Sequence, residues 1–386
     1  MKKRIIILGS TGSIGRQILE ILDCFPENYE VVGLTGHRNI GLLVEQVKKF
    51  KPEFAVITEE TLYNDFKESL KELKHLKCYG GHQGILQMIE EADTINLVVN
   101  GLIGAAGLLP TTKTIEKGIN IALANKESIV IAGNIVTELA RLNNVEIIPV
   151  DSEHSAIWQC LIGEDKSKIK KLILTASGGP FLNREKDELS NVSIKEALNH
   201  PNWYMGRKIT IDSATMMNKG FEVIEAFWLF NVPPERIKVV IHPQSIVHSM
   251  VEFIDGTIKA QLSLPDMKIP LQYALNYPER REYLWNGFDF LGRYDLSFYP
   301  PDFEKFECLN LAYEALRMGG TAPAAINAAN EEAVELFLNG NVNFTQIPEI
   351  IGEILYTHNW KENPNLDDLL MVDRECRTRV KTGYYK

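Results

Sequence analysis

Two groups of polar side chains have residue types and a spacing that could do chemistry. The segment "DSE" (151–153) places an acid, a hydroxyl and a second acid directly after the apolar run "VEIIPV". Further along, Asn218, Lys219 and Glu222 fall within about one turn of a predicted helix. Carboxylate oxygens suit a hard divalent cation, and an ammonium beside an amide suits a phosphate group. The pattern therefore favours a site for a metal ion and a phosphorylated ligand.

Each group also has an ordinary structural explanation. Asp151 or Ser152 could cap the helix "SAIWQCLIG", and Glu153 in its first turn would complement the helix dipole. The second group could be the solvated face of a helix that begins at about residue 214. Its apolar stripe is formed by Met217, Phe221, Ile224 and Trp228. We expect Asp212 and Ser213 to cap this helix and Gly220 to allow close packing.

A glycine loop follows the first predicted strand. In "IIILGSTGSIGRQILEIL", Gly9, Gly12 and Gly15 stand between that strand and an amphipathic helix, where backbone N–H groups could hold a pyrophosphate. The spacing G-x-x-G-x-x-G differs from the usual G-x-G-x-x-G, so a tight turn without a ligand remains an alternative. After the second strand, Arg38 occurs where an NAD site normally presents an acid, which favours NADP; a solvated surface arginine is the other reading.

Two later segments could contact a ligand. The strand "KLILTASGGPF" ends in a turn at 177–179 that offers a hydroxyl and backbone donors to a phosphate, although many such turns bind nothing. The capping box "SIKE" opens a short helix that ends at "HPNWYMG". Trp203 and Met205 are unexpected in an exposed loop, which favours a lid that folds over a ligand.

The predicted elements that position these residues indicate an α/β protein. Up to about residue 150, Val- and Ile-rich runs alternate with helical patterns, as in a Rossmann-like fold with a mostly parallel sheet. A hairpin signal at Asp255-Gly256 indicates antiparallel pairing, and after about residue 305 only helical patterns occur. We expect an NADPH-binding domain at 1–150, a catalytic α/β domain with a mixed or antiparallel sheet at 151–300, and a helical bundle at 301–386.

Composition limits the partners of the protein. A formal net charge of -10 argues against nucleic-acid binding, and no stretch approaches the roughly 20 apolar residues that span a membrane. The five cysteines are scattered and form no CxxC pair, which is typical of a reducing compartment. We therefore expect a cytoplasmic protein.

Taken together, several motifs resemble the 1-deoxy-D-xylulose 5-phosphate reductoisomerase family from residue 5 to beyond residue 330. These motifs are, in the family's order, "GSTGSIG", "ALANKESIV", "VDSEHSAI", "TASGGPF", "HPNWYMG", "DSATMMNKG", "HPQSIVHSMVE" and "NAANE". Several of them are long and irregular in composition, so their joint occurrence is far more specific than any one of them. His37 is a departure, since related proteins commonly have glycine there.

The resemblance implies a set of site residues. The metal ligands for Mg2+ or Mn2+ would be Asp151, Glu153 and Glu222. The residues that bind the phosphorylated substrate would be Lys126, Ser152, Glu153, Ser177, His200, Ser213, Asn218, Lys219 and Glu222. Among these, Lys126, Glu153, His200 and Glu222 would be catalytic. NADPH contacts would come from Thr11, Gly12, Ser13, Ile14, Arg38, Asn39, Asn125, Glu127 and Gly206.

The resemblance also implies a reaction. The family isomerises its hydroxyketone substrate to the branched aldehyde 2-C-methyl-erythrose 4-phosphate, which NADPH reduces to 2-C-methyl-D-erythritol 4-phosphate in non-mevalonate isoprenoid biosynthesis. A homodimer is implied as well, with the strands around 246–264 as the expected contact. From the residues alone, two alternatives stay open: another metal-assisted NADP dehydrogenase of a phosphorylated sugar or hydroxy acid, and a catalytically silent NADP-binding sensor. Loss of a carboxylate or of Lys219 would mark the second, and the sequence retains them all.

Overall fold

A computed structural model describes residues 2–289 and 291–384 of the chain. The chain forms two compact units. The first is built from Met1–Ser128, Val136–Ser152 and Asp266–Leu284, and the second from Ile129–Ile135, Glu153–Pro265 and Trp285–Lys386. The division into three domains that we expect from the sequence stays a prediction.

The first unit contains a parallel sheet whose strands lie in the order β4-β3-β2-β1-β5-β6-β7. Their bounds are β1 Lys3–Leu8, β2 Tyr29–Gly36, β3 Phe54–Ile57, β4 Lys77–Gly80, β5 Leu97–Asn100, β6 Asn120–Leu123 and β7 Ile147–Pro149. The runs "IIIL" and "LVV" in β1 and β5 are buried because helices cover both faces of a parallel sheet. The strand order reverses between β1 and β5, and α/β proteins bind ligands at the carboxyl ends of strands at such a point.

The second unit contains a mixed sheet in the order β11-β10-β8-β9. Its strands are β8 Ile169–Ala176, β9 Ile237–Ile241, β10 Val247–Phe253 and β11 Ile258–Leu262. β8 and β9 are parallel, whereas β10 is antiparallel to both β8 and β11. The β10–β11 hairpin turns at Asp255-Gly256, where the sequence predicts it.

Helices pack against each of the two sheets, and after residue 306 the described chain is organised as helices. In chain order they are α1 Ser13–Cys24, α2 Ile40–Phe50, α3 Tyr63–Ser69, α4 Gly81–Glu91, α5 Leu108–Glu116, α6 Lys126–Asn143, α7 Ser152–Leu161, α8 Ile194–Ala197, α9 Arg207–Ala214, α10 Met217–Phe230, α11 Lys268–Asn276, α12 Glu307–Met318, α13 Ala322–Leu338, α14 Gln346–Thr357 and α15 Leu366–Tyr384. Across the described residues, none of these helices has the length and apolar content that crossing a bilayer requires. The predicted fold class, with its Rossmann-like sheet, second mixed sheet and helical C-terminal region, is confirmed.

Gly220 shows why one residue type is needed inside α10. A Cβ added there would lie 2.5 Å from the Cβ of Ala312 on α12, a separation that real side chains do not reach. Both helices contribute to the core of the second unit, in which Phe221 and Ala312 are buried. Close packing of α10 on α12 therefore explains a glycine that costs about 1 kcal/mol of helix propensity relative to alanine.

Candidate functional site

The glycine loop after β1 forms a tight cradle in the first unit. Gly9 has φ +82°, and a Cβ there would lie 2.8 Å from the carbonyl oxygen of Gly101, which follows β5. A Cβ at Gly15 would lie 2.4 Å from Gly9 O. Gly12 is the N-cap of α1 and has no side chain with which to cap it. The first N–H groups of α1 therefore face a loop of backbone at the strand-order reversal, which suits a pyrophosphate.

The predicted cofactor residues of this loop lie at its surface. Thr11 and Ile14 are half-buried, and Gly12 and Ser13 are exposed. Below them, the Thr35 hydroxyl accepts a hydrogen bond from Gly9 N (2.8 Å), which ties the loop to β2. The loop is thus held by its backbone while its outer side remains accessible.

A second exposed group follows β2. The Arg38 side chain is 72% exposed, and its Nε donates to Glu59 Oε2 at 3.1 Å. Asn39 caps α2, because its Oδ1 accepts from Leu42 N at 3.1 Å. His37 Nδ1 lies 2.9 Å from Thr58 Oγ1, within hydrogen-bond distance. Arg38 is therefore a surface cation that could exchange a weak exposed ion pair for a phosphate group.

The segment that begins α6 is buried. Asn125 caps the helix, accepting from Ser128 N at 3.1 Å, while its Nδ2 donates to the carbonyl oxygens of Leu102 and Gly104 at 2.9 Å. Lys126 is buried and forms an ion pair with Asp151, which follows β7 in the same unit. The Asn125 side chain thus stabilises the local fold. The ion pair between Lys126 and Asp151 brings two predicted site residues together.

Two remaining residues of this region sit at the ends of helices. Glu127 is buried in the first turn of α6, and Ser152 is the buried first residue of α7. Both lie in the first unit, next to Lys126 and Asp151 in the chain.

The prediction that Asp212 and Ser213 cap a single helix from about residue 214 is wrong. α9 already contains both residues, and Met216, with φ +63°, separates it from α10. Gly206 is the N-cap of α9. Asp212 is buried inside α9, where it accepts from Lys208 Nζ (2.9 Å) and from Asn330 Nδ2 (2.8 Å). The break between the two helices could not be predicted from the sequence. A residue in the left-handed region is normally glycine or asparagine, and here it is Met216.

The charged residues of α10 are buried and Asn218 is half-buried, so the solvated-face alternative is also wrong. Lys219 is 4% exposed and Glu222 is fully buried. Lys219 Nζ donates to Glu153 Oε1 of α7 at 2.8 Å and forms an ion pair with Glu222. Asn218 Nδ2 donates to Glu222 Oε1 at 2.6 Å. The second unit thus brings together two carboxylates, an ammonium and an amide; we call Glu153, Asn218, Lys219 and Glu222 the α10 cluster.

Lys219 is held in its charged form within the α10 cluster. Burial disfavours the ammonium of Lys219, but the nearby carboxylates of Glu153 and Glu222 outweigh burial and raise its pKa. Lys219 is therefore charged at neutral pH. Its Nζ contacts a carboxylate of each helix, α7 and α10. Carboxylate oxygens of this kind are hard ligands that suit a divalent cation.

The turn after β8 contacts the end of α9. Gly179 has φ +67°, and a Cβ there would lie 2.7 Å from Ser213 O. Gly179 N donates to the hydroxyl of Ser177 at 3.3 Å. The serines at 177 and 213 are therefore held in neighbouring backbone segments of the second unit, and both are half-buried.

His200 connects this turn to the loop at 200–206. Its Nδ1 accepts from Asn202 N (3.1 Å) and Trp203 N (3.0 Å), and its Nε2 lies 3.0 Å from Ser177 Oγ. Two donors to Nδ1 assign the proton of the neutral ring to Nε2, which then donates to Ser177. Burial lowers the pKa of His200 to about 4, so the ring is neutral at physiological pH.

The rest of this loop projects outward. Trp203 and Met205 are half-buried, while Tyr204 is fully exposed. The ring of Trp203 approaches that of His248 edge-on, with 6.3 Å between centroids. The loop is thus held at His200, Asn202 and Trp203, whereas Tyr204 is open to solvent.

Sequence reasoning missed two buried histidines. His154 Nε2 lies 2.9 Å from Glu222 O, so this ring links α7 to α10, the two helices that carry the acids of the α10 cluster. His248 is buried on β10; burial lowers its pKa, although the charge of Glu153 opposes that shift. His154 adjoins Glu153 in the chain, but a lone histidine is an ambiguous signal. Only its contact with a residue 68 positions away reveals its role.

These arrangements support distinct chemical tasks. The first unit offers backbone donors and an exposed arginine for a dinucleotide. The second unit offers carboxylates for a cation, together with an ammonium, an amide and two serines that can bind a phosphate.

Known proteins are similar to this chain in sequence and in fold. Domain profiles match residues 5–133 (1-deoxy-D-xylulose 5-phosphate reductoisomerase), 147–230 (1-deoxy-D-xylulose 5-phosphate reductoisomerase C-terminal domain) and 262–379 (DXP reductoisomerase C-terminal domain). A 1-deoxy-D-xylulose 5-phosphate reductoisomerase of Caldanaerobacter subterraneus subsp. tengcongensis is 53% identical over 388 residues and covers all of both chains. The protein of that name from Clostridium kluyveri is 50% identical over 386 residues, also with full coverage of both chains.

Solved structures agree with the sequence matches. The reductoisomerase of Zymomonas mobilis in complex with NADPH has a TM-score of 0.92 and 39% identity, and the match covers 99% of each chain. A DOX-P reductoisomerase in complex with NADPH, fosmidomycin and magnesium has a TM-score of 0.93 and 40% identity, with 98% of each chain covered. With relatives at about half identity along its whole length, the chain belongs to the 1-deoxy-D-xylulose 5-phosphate reductoisomerase family.

Proposed function

We propose that the protein converts 1-deoxy-D-xylulose 5-phosphate to 2-C-methyl-D-erythritol 4-phosphate, by isomerisation and NADPH-dependent reduction with Mg2+ or Mn2+. This is a step of non-mevalonate isoprenoid precursor biosynthesis. Besides membership of the family, one observation carries the proposal: the buried ammonium of Lys219 joins the carboxylates of Glu153 and Glu222 in one cluster. Such a cluster is costly to bury and is typical of a functional site.

Asp151, Glu153 and Glu222 would hold the divalent cation. The donor set fits this ion, since carboxylate oxygens favour Mg2+ and Mn2+ over softer metals. Glu153 and Glu222 both contact Lys219, and Asp151 stands two residues before Glu153 in the chain. A related structure contains magnesium. When bound, the cation supplies a Lewis acid and NADPH supplies a hydride.

The phosphate of the substrate would be bound by the second unit. Ser177, Ser213, Asn218 and Lys219 offer hydroxyl, amide and ammonium donors. The neutral His200 holds the Ser177 hydroxyl with its Nε2–H and so orients this donor. Contacts remote from the reacting carbons keep a small substrate in register.

The remaining catalytic roles fall to residues near the carboxylates. Ser152 would contact the substrate between two metal ligands. Lys126, an ammonium already paired with Asp151, would donate to a substrate oxygen and stabilise negative charge there. The loop at 200–206, with Trp203 and Met205, would exclude water from the aldehyde before its reduction.

NADPH would bind on the first unit. The cradle formed by Gly9, Gly12 and Gly15 has no room for a side chain at Gly9 or Gly15, so its backbone can approach a pyrophosphate closely. Arg38 would face the 2′-phosphate. The other contacts would come from Thr11, Ser13, Ile14, Asn39, Asn125 and Glu127 of the first unit, and the family resemblance adds Gly206 of the second. A related structure was solved with NADPH.

A cytoplasmic homodimer is part of this proposal. All five cysteines lie among the described residues and carry free thiols, which suits a reducing compartment. β11 is an edge strand with the exposed Ile258, and such edges pair with another strand or are covered. Sedimentation at micromolar concentration tests the dimer; a monomer would contradict it.

The proposed reaction is tested by NADPH oxidation with 1-deoxy-D-xylulose 5-phosphate, comparing Mg2+ or Mn2+ with excess chelator. NMR of the product should show the branched polyol phosphate, formed only with metal. Reduction without skeletal rearrangement would instead indicate a simple NADP dehydrogenase. NADPH binding without any turnover would refute the proposal and favour a cofactor sensor.

A further inference from the structure

The loop at 200–206 is tied to a turn that follows β9. Asn202 Nδ2 donates both to the carbonyl oxygen of Pro243 and to the hydroxyl of Ser245, the latter at 3.1 Å. Its backbone N–H donates to His200 Nδ1. A single exposed side chain therefore connects the loop to the turn at 243–245, and its backbone connects the same loop to His200.

That turn is a rigid support. His242 is fully buried, and its Nε2 accepts from the backbone N–H groups of Ile246 and Val247, both at 3.1 Å. Its Nδ1–H then donates to Ser297 O at 2.9 Å, and its ring stacks on Phe298 with 4.6 Å between centroids. Both ring nitrogens are thus satisfied, which fixes the orientation of the histidine and of the backbone that follows it.

The loop itself makes few other contacts. Tyr204 is fully exposed, and Pro201 and Gly206 are exposed as well. Loop segments with few buried contacts open at low energetic cost. The two bonds from Asn202 to a fixed turn are therefore a substantial part of what holds the loop in place.

We propose that Asn202 is a positioning residue that latches the loop onto the turn at 243–245 and so keeps His200 against Ser177. The proposal rests on the function proposed above, in which Ser177 and His200 line the substrate. Without the latch, a smaller fraction of the enzyme has the loop in its binding-competent position. The apparent affinity for substrate falls by that fraction, whereas saturating substrate restores the position.

Steady-state kinetics should separate this role from general destabilisation. Asn202→Asp keeps the shape of the side chain but removes both N–H donors. We expect KM for the substrate to rise on the order of tenfold, because two exposed hydrogen bonds are lost. The kcat should stay within about twofold of the wild-type value. Asn199→Asp, the same change at an exposed asparagine just before the loop, is the matched control and should keep the wild-type KM. Thermal unfolding should be unchanged in both variants, since both side chains are exposed.

A double-mutant cycle identifies the partner. Ser245→Ala removes one of the two acceptors, so KM should rise less than in Asn202→Asp, and the double variant should be no worse than Asn202→Asp alone. Additive effects would overturn the assignment of Ser245 as partner of the latch.

Limited proteolysis gives a test that needs no catalysis. Chymotrypsin should cut at Trp203 or Tyr204 several-fold faster in Asn202→Asp than in the wild type, because cleavage follows the population of the open loop. If wild-type and variant protein are cut equally and share one KM, the latch is refuted. If the wild type has no reductoisomerase activity, the proposed function fails, while the cleavage rates still decide whether Asn202 holds the loop.

Discussion

Replacing Glu222 by glutamine removes one negative charge from the α10 cluster and keeps the shape of the side chain. Glu222 is fully buried, and its two oxygens accept from Lys219 Nζ and from Asn218 Nδ2. We expect Glu222→Gln to weaken the binding of the metal on which activity depends and to reduce turnover severely. The structural reason is that the amide still offers an oxygen ligand but no longer compensates a cation.

The size of the effect follows from electrostatics. Two unit charges about 4 Å apart interact by about 4 kcal/mol at an effective dielectric constant of about 20. A divalent cation doubles this attraction, while the retained carbonyl oxygen and the release of Lys219 offset part of the loss. A net loss of roughly 3–4 kcal/mol corresponds to a metal affinity lower by about 10²- to 10³-fold.

The assay is a titration of Mg2+ or Mn2+ against NADPH oxidation, with Mn2+ binding measured directly by electron paramagnetic resonance. Glu332→Gln is the matched control: Glu332 is also buried and pairs with Arg377 (3.2 Å) and Lys381 (3.3 Å), but it lies on α13. The control should lose stability and keep its metal affinity. An unchanged metal affinity in Glu222→Gln, or an equal fall in the control, would refute the reasoning.

Three further predictions concern packing, the cofactor and pH. Gly220→Ala should lower the free energy of unfolding by about 1–2 kcal/mol, because the methyl group meets Ala312 at 2.5 Å and overpacking exceeds the gain in helix propensity; an unchanged Tm would contradict this. Arg38→Ser should weaken NADPH binding about tenfold and NADH binding hardly at all, and fluorescence titration with both cofactors checks the difference; equal losses would exclude a 2′-phosphate contact. The His200 ring, whose pKa is lowered to about 4, should remain neutral as the pH falls through the usual histidine range near 6.5. Since the unfolded chain takes up this proton first, His200 lowers stability as the pH falls from about 6.5 to about 4; an NMR titration midpoint near 6.5 would refute the predicted environment.

The sequence predicts those parts of the fold that depend on local patterns. Apolar runs such as "RIIIL" and "INLVVN" become β1 and β5, because strands buried on both faces need continuous Val and Ile. Asp255-Gly256 marks its hairpin through turn chemistry alone. β4 has no such signal, because "KCYG" is short, contains no run of Val or Ile and is only partly buried.

The parts that the sequence does not predict depend on distant partners. From the local sequence, Lys219 would be a surface residue. Its burial depends on a contact with Glu153, which lies 66 positions earlier in the chain. Asn202 finds its acceptors about 41 to 43 positions away. From residue types alone, the α10 cluster was a possible solvated face, and only the resemblance to a family indicated its members. The complete set of site residues stays a prediction that the variants above can test.

The first unit is assembled from distant parts of the chain. Asp266–Leu284 belongs to it, and within this segment α11 packs against α1. Lys3 Nζ donates to Leu275 O at 2.8 Å, and the Tyr29 hydroxyl donates to Asn276 Oδ1. A nascent chain leaves the ribosome from its N-terminus at about 5–20 residues per second. The first unit therefore cannot be completed during roughly the first 14 s or more of its own synthesis, and α11 does not cover its face of α1 until the polypeptide is almost three-quarters made.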